Sequence, residues 1–180
     1  MFTLEEWISR AWNDLKTSAP KLAIRNEADL KCHLFSRLLT SRTEVVTAHE
    51  VHSEIRFPVD QNRNGIIVDI AIAANNRVMA VIELKYSRLP VFEKDLVNLC
   101  KLRDEVKVRE LSSGVQWVST PYSRDALKLS DHTLWYFGCA CADSARSVDR
   151  NDMLEKMKNK YGLNCNDIDT LPPIVFSAPE

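Results

Sequence analysis

The chain has 180 residues, 45% of them hydrophobic and 27% charged, and a formal net charge of −1. That size suits a single domain with a sizeable core, and the composition is ordinary for a soluble globular protein. Near-neutral charge gives no global electrostatic attraction for nucleic acid, and no apolar run approaches the roughly 20 residues that span a bilayer.

Residues Thr3 to Lys16 predict an amphipathic helix opened by a capping box, Thr3 with Glu6 three residues on. Leu4, Trp7, Ile8, Ala11, Trp12 and Leu15 form its apolar stripe, a packing surface. The acidic Glu5 and Glu6 stand where a signal peptide carries basic residues, so none is expected. Pro20 breaks the chain before a second helix, capped by Asn26, from Glu27 to about Thr40 with Leu30, Leu34, Leu38 and Leu39 inward. Glu27 falls in its first turn, where an acid interacts favourably with the helix dipole.

Val45 to Phe57 ends in alternation, Val51, Ser53, Ile55 and Phe57 against His52, Glu54 and Arg56, which predicts a half-buried strand. Should Phe57 pair with Ile66, Glu54 would lie opposite Asp69, although the loop between them leaves that register open. Arg56 and Arg63 flank the same edge, within reach of phosphates or of solvent alone.

The stretch from Arg63 to Tyr86 holds two apolar, β-branched-rich runs separated by Asn75-Asn76. Each carries charge where a buried strand should carry none: Asp69 in the first, Glu83 and Lys85 in the second. Met79, Val81, Glu83 and Lys85 share one face of the ribbon, and Val78, Ala80, Ile82 and Leu84 the other, so both faces begin apolar. A strand covered on both sides does not end in a glutamate and a lysine without use for them, because unpaired buried charge is costly. A plain two-residue turn would set Asp69 opposite Ile82 and send Glu83 to the other face. An odd-length loop or a bulge is therefore expected, bringing Asp69, Glu83 and Lys85 together.

After Pro90, a helix is predicted from about Val91 to Arg109, with Phe92, Leu96, Leu99, Leu102 and Val106 inward. Its other face mixes signs, Glu93, Asp95 and Arg103 among them, as a solvated surface does. Val115 to Ser119 and Thr133 to Ala142 read as buried strands. A helix near Asp152 to Tyr161, stopped by Gly162, precedes a loosely held tail. The five cysteines, odd in number and in no framework spacing, fit free thiols in a reducing cytoplasm, the expected location. Cys139 and Cys141 read as buried thiols, since no second pair stands at zinc-site spacing.

Two convergent carboxylates with a nearby lysine make a chemical set. Carboxylate oxygens suit a hard divalent cation such as Mg2+, which takes one or two of them plus waters and substrate phosphate oxygens. Such an ion activates water and screens charge building on a phosphoryl centre, and a lysine beside it can hold the attacking water.

Asp69, thirteen intervening residues, then Glu83-Leu84-Lys85 at the end of an apolar strand resembles the PD-(D/E)XK signature of the restriction-endonuclease-like nucleases. Val68 stands where the signature's name has proline. The element order from Asn26 to Ser119, helix, three strands, helix, strand, is similar to the αβββαβ core of that superfamily. The resemblance covers a core of about residues 26–120 within one domain, with an extra N-terminal helix and a C-terminal extension. It implies an α/β fold with a mixed central sheet flanked by helices, and a Mg2+-dependent nuclease, Mn2+ being able to substitute. Nucleic acid, DNA rather than RNA, would be the partner, with no membrane, and a homodimer or larger complex would allow both strands to be cut. Asp69 and Glu83 would be metal ligands, Glu54 a further acidic ligand, and Lys85 the residue at the attacking water. Glu27 matches the first-helix glutamate that supports the metal site in such nucleases. A non-cutting binding or assembly module on the same fold is the alternative.

Overall fold

A computed structural model describes residues 3–41, 48–58, 65–87, 93–108, 112–113, 127–141 and 150–175. Among them are four α-helices, α1 (Leu4–Ser18), α2 (Glu27–Thr40), α3 (Glu93–Val108) and α4 (Arg150–Tyr161). The strands are β1 (Glu50–Pro58), β2 (Gly65–Ala74), β3 (Arg77–Ser87), β4 (Ser112–Ser113), β5 (Leu127–Lys128), β6 (Leu134–Cys141), β7 (Ile168–Thr170) and β8 (Ile174–Val175). All eight join one mixed sheet. β1, β2 and β3 run antiparallel in succession, β6 lies parallel to β3, and β7 and β8 lie parallel to β6.

Helices cover both faces, so the fold is α/β in three layers. On one face α1 and α2 place Trp7, Ile8, Trp12, Leu30 and Leu34 against Ile70, Ile72, Ile82 and Leu84. On the other, α3 and α4 place Leu96, Leu99, Leu102, Met153 and Met157 against Ala71, Val81, Trp135 and Phe137. Burial on both sides is why β3 and β6 read as near-continuous apolar runs.

The helix signals are realised. Thr3 and Glu6 form the capping box, Thr3 Oγ1 accepting from the Glu6 N–H at 3.1 Å and Glu6 Oε2 from the Thr3 N–H at 2.7 Å. Asn26 caps α2 by accepting from the Asp29 N–H. Trp12 lies against Gly138, where an added Cβ would come within 2.8 Å of the indole, and its Nε1 donates to the Pro172 carbonyl at 2.6 Å. Thus α1 seals the sheet face over β6.

Several expectations are corrected. Leu39, expected inward, is 43% exposed, because α2 shows the sheet only the row Leu30, Leu34, Leu38. Residues 168–175 are not a loose tail: β7 and β8 extend the sheet beside β6. β6 lies beside β3, and Val115 to Ser119 lie outside the described residues, as do Arg63, Pro90 and Phe92. Arg103, expected in solvent, is 2% exposed and donates to Asp104, Asp167 and the Asn164 carbonyl. Cys100 and Cys165, expected as free thiols, form a disulfide from α3 to the segment after α4. Cys139 and Cys141 are buried free thiols, as expected. No helix among the described residues is long and apolar enough to cross a membrane.

Candidate functional site

The site begins with the parity of the hairpin. Asn75 and Asn76 form a two-residue turn, Ala74 opposite Arg77, with φ of 51° and 61°. Both values lie in the left-handed region that asparagine tolerates and tight hairpins need. That turn alone would set Asp69 opposite Ile82. A β-bulge between Ile72 and Ala73 intervenes: Ala73 pairs with Val78 but Ile72 with Ala80, leaving Met79 as the extra residue. Ile70 therefore pairs with Ile82, and the next step sets Asp69 level with Glu83. The bulge also moves Val78 from the face of Ala80, where strict alternation put it, to that of Val81.

The β2–β3 pairing stops at Ile70 and Ile82. Beyond it β2 continues with β1, and β3 with β6, so the two strands part where the acids stand. The Asp69 carboxylate takes over one of the ladder's donors there: its Oδ2 accepts from the Leu84 N–H at 2.8 Å.

Glu54 joins from β1. Phe57 pairs with Ile66, a register the sequence left open, and Glu54 falls between the pairs Ser53–Ile70 and Ile55–Val68, level with Asp69. Its φ of 56° interrupts the alternation, so Ile55 and Phe57 pack toward α3 while Val51 packs toward α2. A non-glycine residue in the left-handed region carries strain, and such residues cluster at functional sites.

Two lysines and two helices complete the cluster. From α2, Lys31 Nζ bonds Glu54 Oε1 and lies 3.6 Å from Asp69 Oδ1. Lys85 Nζ is held at 3.2 Å by Glu27 Oε2, from the first turn of α2, and at 2.7 Å by Asp95 Oδ2, from the first turn of α3. Lys85 is thus gripped by helices from the two opposite layers. Glu27 also lies 3.5 Å from the Tyr86 N–H.

Burial sets the electrostatics. Glu83 is pushed up to about 9 by burial first, then by the charges of Asp69 and Asp95. Asp69 is raised by burial, against which the Leu84 N–H and Lys31 pull. Both are therefore raised together, as expected of close carboxylates that cannot both ionise cheaply and hold a proton as a pair. Lys31 and Lys85 are each raised above the ordinary lysine value: burial is the largest single influence and pulls down, but their carboxylate partners together outweigh it.

All five residues expected at the site, Glu27, Glu54, Asp69, Glu83 and Lys85, stand around the parting of β2 and β3. Asp69, Glu83 and Glu54 suit a hard cation in kind, and two carboxylates suffice where waters and phosphate oxygens complete the shell. Among the described residues no group of three or more His, Cys, Asp and Glu converges at metal-holding spacing, and lysines pair with part of the carboxylate set.

Lys31 and Asp95 are the members that sequence reasoning missed. Lys31 stands four residues after Glu27, a spacing that reads as an ordinary helix-surface pair, and Asp95 was assigned to the solvated face of α3. Compared with known protein families, curated proteins and solved structures, the chain matches none.

Proposed function

We propose that the protein is a metal-dependent phosphodiesterase acting on nucleic acid, DNA in preference to RNA, on an αβββαβ restriction-endonuclease-like core. The observation that carries this reading is the bulge-restored register, which sets Asp69 level with Glu83 where β2 and β3 separate, two residues before Lys85. The element order α2, β1, β2, β3, α3 and, after the two-residue strands β4 and β5, β6 supports it.

Asp69 and Glu83, with Glu54 beside them, would hold Mg2+ or Mn2+. A bound ion would supply Lewis acidity, lowering the pKa of a bound water and offsetting charge on the phosphoryl oxygens. Lys85, braced by Glu27 and Asp95, has one of its three donors to spare for the attacking water and keeps it aligned. Leu84 and Tyr86, on either side of Lys85, pack toward α1 and α2, which fixes the lysine's direction.

The second reading, a nuclease-fold module that binds without cutting, draws on the carboxylates' engagement with lysines rather than with one another. Cleavage decides between them. Supercoiled plasmid and single-stranded DNA should be cut in Mg2+ or Mn2+, and Asp69→Ala and Lys85→Ala should each lose about 10²-fold or more, the scale of a lost electrostatic or positioning group. No cleavage by the wild-type protein in either metal would favour the binding module. Equal cleavage by all three proteins would contradict the assigned site.

A further inference from the structure

The two lysines at the site are held by different kinds of partner. Lys85 is held by Glu27 and Asp95, which would stay on it when a cation enters. Lys31 is held by Glu54 and Asp69, both assigned above as cation ligands. An ammonium on those oxygens answers the same demand as a metal ion, positive charge for sheltered carboxylates, and the two cannot use the same lone pairs at once.

We propose that Lys31 is a resident counter-ion of the site, which a divalent cation displaces from Asp69 and Glu54, and which then passes its ammonium to a phosphate oxygen of the substrate. This rests on the metal-dependent reading above. The geometry suits an exchange rather than a permanent bridge. Glu54 is 48% exposed at its side chain, so its pair with Lys31 is weakly held. Asp69 is 14% exposed but lies at 3.6 Å from the ammonium, an ion pair too long for a hydrogen bond. The lysine stem is flexible and its three donors rotate, so release requires only new side-chain torsions. Lys31 lies one turn beyond Glu27 on α2, which keeps the freed ammonium near Lys85.

A thermodynamic consequence follows. Whatever draws Lys31 from Asp69 favours the cation, and the cation frees Lys31 for phosphate, so metal and nucleic acid each strengthen the binding of the other by one shared factor.

Titration calorimetry of Mn2+ into the wild-type protein, Lys31→Met and Lys31→Gln tests the competition. Both variants should bind Mn2+ at least about 5-fold more tightly, the lower end of ordinary coupling between sites. Two neutral replacements guard against one that fails to fold. Unchanged or weaker binding in the variants, with the wild type binding, would overturn this inference alone. Absence of Mn2+ binding in all three folded proteins would overturn the metal-dependent reading as well.

The phosphate half is tested in a Lys85→Ala background, where cleavage should be lost. Fluorescence anisotropy of a labelled oligodeoxynucleotide should show binding strengthened by Mn2+, and adding Lys31→Met should reduce that strengthening, the remainder being the ion's own contact with phosphate. Strengthening of undiminished size in Lys31→Met, or none in the Lys85→Ala protein, would overturn it.

Discussion

Glu83 is the residue whose environment differs most from that of a free side chain. Its carboxyl is raised to about 9, chiefly by burial, so the folded state keeps a proton that the unfolded chain gives up near 4.5. The stabilising effect is fully present below 4.5 and is lost progressively as pH rises toward 9, because only the unfolded state gains by ionising there. Glu83→Gln mimics the protonated acid and carries no such loss. In metal-free buffer it should therefore melt with the wild type near pH 4.5 and above it by a widening margin as pH approaches 9, with about 2–4 °C for each kcal/mol in a protein of this size. A constant difference across that range in thermal scans would contradict the assignment. At this scale Asp69, Glu83 and Lys85 were legible as charges inside apolar strand patterns, whereas Glu54 depended on the Phe57–Ile66 pairing, which the loop between them left open. Lys31 and Asp95 were not legible, because whether a side chain on a helix reaches a strand depends on how the helix packs over the sheet, which periodicity does not encode.

Among the elements, the β2–β3 hairpin decides whether a site exists. Its tight turn and its bulge have opposite effects on parity, and only together do they set Asp69 level with Glu83. Asn75 and Asn76 both sit at positive φ, where a β-branched side chain would cost about 1–2 kcal/mol per residue. Asn76→Val should lower stability by that amount in urea titrations, while Asn76→Gly should be neutral or mildly stabilising; equal loss in both would argue against the turn. The need for an irregularity followed from counting residues, but its place at Met79 did not, because a loop of odd length would have satisfied the same count. The caps of α1 and α2 were legible because Thr3, Glu6 and Asn26 act within one turn of their own helices. β7 and β8 were not: they have three and two residues, too few for periodicity to register, and take their strand character from pairing with β6.

For the molecule as a whole, a mixed sheet flanked by helices was expected from the resemblance carried by motif and element order, whereas the ties that close the far layer were not legible. Five cysteines fix no pairing on their own, and Arg103 reads as one more surface charge until α3 is packed. The Cys100–Cys165 bond spans 65 residues, and a closure of that length contributes about 2–5 kcal/mol, chiefly by restricting the unfolded chain. Dithiothreitol should therefore lower the melting temperature of the wild-type protein and leave a Cys100→Ser/Cys165→Ser variant unmoved; a wild-type melt indifferent to reductant would contradict the bond. Because that bond anchors α3, whose first turn carries Asp95, the far layer also braces Lys85. The whole arrangement turns on one claim, that Asp69 and Glu83 serve a single cation. Anomalous diffraction from crystals soaked in Mn2+ measures it directly. The expected result is a peak bonded to carboxylate oxygens of both residues at the parting of β2 and β3, with Lys31 drawn off Asp69; no peak there, or one not bonded to both residues, would contradict that claim.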